Sequence, residues 1–261
     1  MRSSVRTTAL LLIASIAFCT SGCFAPHKAT PDKLAKAVSN LDAEEVDYDE
    51  YVSMQNGMFA DVTSSNEYMS RLGDGIYCTV SGDDIEDILK SAEKSSLAEF
   101  NELLDQYNQY SGKEWHPKDL TFGDYDAMTE MTAYTLINYS VSSLSYCYIT
   151  SFEFDSKSSA EDYYAFQTVN IDDVDELFAT YRLSMEPEHD EGTKNGIDYF
   201  IFQLNMNTDS SMDMKTYALI LRDGDCVTTC LVMDMMSKRG YKTVNKVLEE
   251  MGIFTLDDIL K

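Results

Sequence analysis

Residues 197–233 read IDYFIFQLNMNTDSSMDMKTYALILRDGDCVTTCLVM, and this stretch decides the fold. Apolar and polar residues alternate over Ile197–Met206, Lys215–Leu221 and Val227–Met233, a pattern typical of β-strands with one buried face. Asp223-Gly224 is a strong hairpin turn between the second and third of these segments. Because the connections are short, we predict three consecutive antiparallel strands that form a β-meander.

The flanking segments extend this meander to a unit with the order β-α-α-β-β-β-α, which we place at residues 141–261. Alternation over Leu144–Phe154 predicts its first strand, and the polar segment Glu186–Gly196 is predicted to be a loop. The last helix is capped by Ser237 and ends at Gly252, since glycine suits the left-handed residue after a helix. We therefore predict an α+β fold in which helices cover one face of an antiparallel meander.

The preceding part, residues 31–140, is predicted to be a mainly helical α+β subdomain. Thr30-Pro31 is a typical helix start, because threonine caps a helix and proline suits its first turn. The longest amphipathic pattern runs over Ile85–Tyr107, and a further predicted helix has apolar residues over Ala127–Ile137 on one side. One segment, Ile76–Val80, is predicted to be a strand.

The amino terminus combines two arginines with a short apolar run, Ala9–Cys19, which is typical of a cleaved signal peptide. The motif Thr20-Ser21-Gly22-Cys23 follows and resembles the lipobox of bacterial lipoproteins, in which leucine is commonest at the position of Thr20. The resemblance covers residues 1–23 only. It implies a signal peptide at 1–22 that is cleaved after Gly22, a diacylglycerol on Cys23, a lipidated tether at 23–30, and a lipid-anchored location on the extracytoplasmic face of the cell membrane. An ordinary secretory signal is the alternative.

Composition excludes several functional classes. The chain has 20 Lys+Arg against 45 Asp+Glu, a formal net charge of −25, whereas a nucleic-acid partner requires a basic face. With three histidines and scattered cysteines, a dedicated zinc protein is not expected, and we predict no metal or other cofactor. After the signal, no apolar run is long enough for a multispanning membrane protein.

Four cysteines follow the tether, namely Cys78, Cys147, Cys226 and Cys230. The last two are four residues apart on one predicted strand, about 13 Å, which is too far for a disulfide between them. Bridges from Cys78 or Cys147 to either of them are possible by spacing. Free buried thiols are favoured, because apolar or strand-forming residues flank all four.

A hydrolase requires a positioned base, and the histidine candidates are His116 and His189. No G-x-S-x-G element, phosphate-binding loop, dinucleotide fingerprint or zincin motif accompanies them. The dense carboxylate segments, around Asp83-Asp84 and Glu186–Glu191, lack the spacing of a calcium loop. We therefore expect no catalytic site.

One dense basic cluster stands out in this acidic chain: Lys238, Arg239, Lys242 and Lys246. The three lysines recur at four-residue steps along one face of the last predicted helix. Internal salt bridges would account for them, and the alternative is docking of an acidic partner or an anionic wall polymer. An exposed Tyr/Met face on the meander, with Tyr146, Tyr148 and the methionines near Met233, is a second possible partner surface.

These observations predict an exported, membrane-anchored lipoprotein that binds an envelope protein or peptide and has no catalytic activity. An envelope hydrolase that uses His116 or His189 is the first alternative. A solute-binding receptor of a transporter is the second, although its usual parallel sheets fit an antiparallel meander poorly.

Overall fold

The computed structural model describes residues 27–60, 66–82, 84–85, 127–140, 142–169, 185–207 and 213–260. Within these ranges a single mixed sheet has eight strands in the order β1-β2-β3-β4-β8-β7-β6-β5. The strands are β1 (Glu44–Glu45), β2 (Ile76–Ser81), β3 (Met128–Ser140), β4 (Ser143–Phe154), β5 (Met185–Lys194), β6 (Ile197–Asn207), β7 (Asp213–Asp223) and β8 (Cys226–Met235). All neighbours pair antiparallel except β1 and β2, which are parallel.

Helices pack on both faces of this sheet. They are α1 (Pro31–Asn40), α2 (Tyr48–Ala60), α3 (Asn66–Asp74), α4 (Lys157–Val169) and α5 (Arg239–Met251). On one face, α1 and α5 bury Leu34, Val38 and Leu248 against the central strands. On the other face, α2 and α3 cover β2 and β3, and α4 covers β4, β8 and β7. The result is a three-layer arrangement with the sheet in the middle.

The predicted fold class is therefore wrong in two respects. The meander is part of a larger mixed sheet that also draws β1, β2 and β3 from the predicted helical half, and helices cover both of its faces rather than one. The β3–β4 hairpin runs across residue 140, the predicted boundary between two subdomains. Most of the long helix predicted over Ile85–Tyr107 lies outside the described residues.

Two segments explain this error. Ala127–Ile137 was predicted to be a helix, but Met128–Ser140 forms strand β3, in which every residue from Met131 to Ile137 is buried. A strand buried on both faces has no polar alternation, so its apolar spacing also fits a helix. Glu186–Gly196 was predicted to be a loop, but most of it forms the edge strand β5. From Glu188 onward most side chains of this strand are exposed and several are charged, as is common at sheet edges.

The segment that precedes α1 is fixed to the β7–β8 turn. The backbone N–H groups of Lys28 and Ala29 donate to Asp223 Oδ2 at 2.6 and 3.3 Å. The buried carbonyl of Ala29 accepts from the hydroxyls of Ser151 and Thr228, both at 3.2 Å. The described end of the predicted tether is thus part of the folded body.

The predicted start of α1 and the predicted end of α5 are confirmed, but the N-cap residue of α5 is Lys238 and not the predicted Ser237. Thr30 Oγ1 accepts from the N–H of Lys33 at 3.2 Å, and Pro31 occupies the first turn of α1. Gly252 closes α5 in the left-handed conformation, with φ of 75°.

Candidate functional site

A basic cleft of about 480 Å³ lies between α5, the carboxyl ends of α1 and α3, and strand β3. Tyr134 and Leu136 project from β3 and form part of its lining, together with Leu41 after α1 and Asp74 at the end of α3. The remaining lining comes from the start of α5 and the two residues before it: Ser237, Lys238, Arg239, Lys242, Thr243 and Lys246. All four members of the basic cluster singled out in the sequence therefore line one cavity.

The lysines project into the cleft because α5 is strongly amphipathic. Val244, Val247 and Leu248 are fully buried against the sheet, while Lys242 and Lys246 are exposed. Positions four residues apart lie on one helix face, about 6 Å apart along the axis. Lys238, Lys242 and Lys246 thus form a row about 12 Å long.

No salt bridge neutralises this row within the described parts of the chain. Lys238, Lys242 and Lys246 pair with no carboxylate there, although other cations, such as Arg71, do. Internal salt bridges therefore do not account for these three lysines among the residues that the structure describes. Because the three lysines are exposed, their ammonium groups are accessible to an external anion.

Arg239 has a different role from the lysines. Its Nη2 donates to the backbone carbonyl of Gly73 at 2.7 Å, which ties the first turn of α5 to the end of α3. The bond joins two elements that both contribute residues to the cleft lining. We assign Arg239 as a residue that positions the cleft walls.

The amino-terminal amide groups of α5 are occupied by a buried carboxylate from β8. Asp234, 3% exposed, accepts from the N–H of Gly240 at 3.0 Å and from that of Tyr241 at 2.9 Å, and Ser145 Oγ donates to it at 2.6 Å. Ser237, the predicted cap, contributes one further bond from the N–H of Arg239 at 3.2 Å. An external anion would therefore meet the lysine side chains rather than the helix terminus.

The charges that line the cleft are mostly positive. Among the residues that the structure describes, its lining contains Lys238, Arg239, Lys242 and Lys246 and one carboxylate, Asp74 at the end of α3. At physiological ionic strength a charge is screened beyond about 8 Å, so a ligand in the cleft responds mainly to these nearby groups.

Two of the three histidines, His27 and His189, lie in the described residues. His116 lies outside the described residues, so a site there stays a prediction. His189 is exposed on β5 and stacks on Phe200 at 6.0 Å between ring centroids. His27, in the predicted tether, has both ring nitrogens near carboxylates, Nδ1 3.1 Å from Asp223 Oδ1 and Nε2 3.5 Å from Asp225 Oδ1. Within the described ranges, neither ring forms a hydrogen bond with a serine or cysteine.

The four cysteines of the folded body are free and buried. Cys147 and Cys230 lie diagonally on the paired strands β4 and β8, and no disulfide links them. Burial raises the pKa of the Cys78 and Cys230 thiols to about 12. The thiols therefore act as small apolar groups, and no three metal-ligating side chains converge within the described part of the chain.

The predicted Tyr/Met surface is partly internal. Tyr146 and Tyr148 stack with ring centroids 6.5 Å apart and pack against the cluster under α2 and α3. Met236, in contrast, is exposed at the end of β8. The tyrosines thus contribute to the core, and the basic cleft is the stronger candidate for a partner site.

The predicted lipidation site, Gly22-Cys23, lies outside the described residues. None of the helices in the described ranges has the length and hydropathy needed to cross a bilayer.

No protein-family model matches the sequence, and no curated protein matches it. Among solved structures, the chain is similar to the extracellular domain of PknH from Mycobacterium tuberculosis, with a TM-score of 0.28 and 7% sequence identity. The similarity covers 48% of this chain and 66%, just under two thirds, of that domain.

Proposed function

We propose that this chain is a lipid-anchored, extracytoplasmic binding protein without catalytic activity, and that its basic cleft holds an anionic ligand. The observation that carries the proposal is the row of three exposed lysines that have no carboxylate partner in the described structure, in a chain with 45 acidic residues. Random placement in such a chain would favour ion pairs. A cation row without internal partners is what a site for an external anion requires.

The anchor follows from the resemblance to the lipobox. A diacylglycerol on Cys23 supplies two acyl chains, which is sufficient for stable attachment to a bilayer. From Cys23 to His27 the backbone spans at most about 14 Å, so the β7–β8 turn, to which His27 and Lys28 are bound, would lie near the membrane.

This anchoring would direct the cleft away from the bilayer. Strand β8 runs for 10 residues, about 30 Å, from the β7–β8 turn to the start of α5. The lysine row begins at the far end of that strand. A ligand presented by another envelope component therefore fits the geometry better than a headgroup of the anchoring membrane.

Metabolic labelling tests the anchor. We expect the wild-type protein to incorporate radioactive palmitate and Cys23→Ala to lose the label, with Cys19→Ala as the matched control that keeps it. Equal labelling of wild type and Cys23→Ala would contradict the proposed anchor.

Equilibrium binding tests the cleft. Fluorescein-labelled poly-L-glutamate is titrated with full-length protein in non-ionic detergent, and anisotropy is recorded. Substitution of Lys238, Lys242 and Lys246 by Gln removes three charge pairs of about 0.5 kcal/mol each, which corresponds to about a ten-fold loss of affinity. The control variant substitutes Gln for Lys33, Lys36 and Lys157, which are exposed and do not line the cleft. Equal affinity of the two variants would contradict the proposed site.

A further inference from the structure

We infer that strand β5 is a docking edge for an extended segment of another polypeptide that carries basic residues at alternate positions. The segment would pair with the outer side of β5 and add a strand to the sheet. Strand β5 lies at the end of the sheet opposite to β1 and contributes no residue to the basic cleft. The inference therefore goes beyond the proposed anion-binding function.

The two edge strands of the sheet differ in length. Strand β1 has two residues, whereas β5 has ten, Met185–Lys194. Proteins commonly protect a sheet edge by making its strand very short, and this protection applies to β1 but not to β5. Among the described strands, β5 is therefore the long edge strand that another chain can pair with.

The backbone groups on the outer side of β5 have no described partner. In an antiparallel ladder, about every second residue directs its N–H and C=O away from the neighbouring strand. Apart from the ladder with β6, no backbone–backbone hydrogen bond involves residues 185–194 in the described ranges. Pro187 lacks an N–H and is compatible with an edge strand. A row of such groups pairs with an extended backbone, so the edge selects a strand rather than a helix.

The exposed side chains of β5 set the charge of the partner. Glu188, Asp190 and Glu191 are exposed, and none of them forms an ion pair in the part of the chain that the structure describes. The one lysine of the strand, Lys194, is already bound, because its Nζ donates to the backbone carbonyl of Asp258 at 2.8 Å. Opposite charges at facing positions stabilise a strand pair, so this edge is suited to a basic strand.

The same carboxylates disfavour a second copy of this chain as the partner. Two β5 strands paired antiparallel around His189 would place Glu188 of one copy opposite Asp190 of the other. Pairing around Asp190 would place its two carboxylates opposite each other, and like charges at facing positions destabilise a strand pair. Charged edge strands commonly prevent self-association in this way, but they do not oppose a strand of the opposite charge.

The spacing of the carboxylates sets the sequence pattern. Glu188 and Asp190 are two residues apart, so they lie on one face of β5 at a distance of about 6.8 Å. Lysines at alternate positions of the added strand recur with the same spacing and can face both carboxylates. The intervening residues lie on the other face, where His189 stacks on Phe200, and β-branched side chains suit that position.

The test compares two fluorescein-labelled peptides by anisotropy, with full-length protein in non-ionic detergent. One peptide is Thr-Lys-Val-Lys-Val-Lys-Thr. The other has the same side chains and the same charge, but the backbone nitrogens of its five central residues are methylated and cannot donate hydrogen bonds. Because strand pairing needs these donors, we expect the methylated peptide to bind more than about ten-fold more weakly.

Hydrogen exchange followed by mass spectrometry locates the bound peptide. We expect the first peptide to slow amide exchange in residues 185–194 and to leave exchange in α5 unchanged. Free protein is also measured at two concentrations, since pairing of β5 between two copies would slow exchange of this strand at the higher concentration without any peptide.

Two double variants test the role of charge. Glu188→Gln combined with Asp190→Asn removes two facing charges, so the first peptide should bind about five-fold more weakly. The control combines Asp162→Asn with Glu249→Gln, which remove the same charge from exposed positions on α4 and α5. The control should change the affinity by less than about two-fold.

Stronger binding of the unmethylated peptide, protection of β5 and dependence on Glu188 and Asp190 together support the inference. Equal binding of the two peptides, protection outside β5, or equal affinities of the two double variants would overturn it, because attraction by net charge alone explains these results. Slower exchange of β5 at the higher concentration without peptide would assign the edge to a second copy and would also overturn it, as would the absence of binding. None of these outcomes changes the test of anion binding by the cleft lysines.

Discussion

Removal of the buried carboxylate of Asp234 should destabilise the protein strongly. Asp234 accepts hydrogen bonds from the N–H groups of Gly240 and Tyr241 and from the hydroxyl of Ser145, at 3.0, 2.9 and 2.6 Å. It therefore fixes the first turn of α5 to the end of β8. Because the lysine row begins at this turn, the same carboxylate sets the position of the basic cleft.

The magnitude follows from the bonds that Asp234→Ala removes. Loss of a helix cap costs about 0.5–2 kcal/mol, and a buried donor without a partner costs about 1–3 kcal/mol. Gly240 N–H is buried, so we expect a total loss of about 3 kcal/mol. Asp234→Asn keeps one acceptor oxygen but directs an amide N–H toward a backbone donor, so we expect about half of that loss.

Thermal unfolding followed by far-UV circular dichroism measures this effect. For a chain of this size, about 3 kcal/mol corresponds to a decrease of Tm by roughly 6–12 °C. Asp162→Ala is the matched control, since Asp162 is exposed on α4, and it should change stability by less than about 0.5 kcal/mol. A difference of 1 °C in Tm corresponds to roughly 0.3–0.5 kcal/mol. If the Tm of Asp234→Ala lies within 1 °C of that of the control, the assignment of Asp234 as the cap of α5 is refuted.

Three further predictions concern other parts of the fold. Gly224→Ala should lower the free energy of unfolding by about 2 kcal/mol in a denaturation experiment, because φ is +69° and the added Cβ would overlap the ring of His27. A second substitution, His27→Ala, should remove the overlap and recover part of the lost stability. No recovery would contradict the docking of residues 27–29 on the β7–β8 turn. The four buried thiols should not react with Ellman's reagent at pH 8 in the native protein, because burial raises their pKa values. For Cys230 the pKa rises to about 12. Rapid reaction before unfolding would contradict the burial of these thiols. Hydrogen bonds from Arg71 lower the pKa of the Glu44 carboxyl. The ion pair therefore stabilises the protein at pH values above 4.5, the ordinary pKa of glutamate, and this stabilisation is lost as the pH falls below that value. Arg71→Gln should weaken the decrease of Tm in acid, and an unchanged decrease would exclude this pair as a contributor.

The sequence predicted those strands that have one polar face. Ile197–Met206, Lys215–Leu221 and Val227–Met233 are confirmed as parts of β6, β7 and β8, because water on part of one face preserves the alternation. Strand β3 was missed because both of its faces are covered, and β5 was missed because an edge strand exposes charged side chains that resemble a loop. A local sequence pattern shows which residues of a segment are buried and which are exposed. A segment that is buried on both sides, or exposed along its length, can be a helix, a strand or a loop, so the pattern does not distinguish them.

The site was predictable only in part. The lysine row is a local pattern on one helix, so four-residue spacing was sufficient to identify it. The rest of the cleft comes from residues far apart in sequence, such as Leu41, Asp74 and Tyr134, which the sheet order brings together. The absence of carboxylate partners for the lysines in the described ranges is likewise a property of the tertiary structure, and no spacing rule could reveal it.

Lysine footprinting tests the central claim most directly. Full-length protein is acetylated with an N-hydroxysuccinimide ester at low conversion, with and without poly-L-glutamate, and the modification of each lysine is quantified by mass spectrometry. Occupation of the cleft predicts that Lys238, Lys242 and Lys246 become protected while Lys33 and Lys157 react as before. Equal protection of all five lysines, or protection of Lys33 and Lys157 alone, would contradict an anion-binding cleft beside α5.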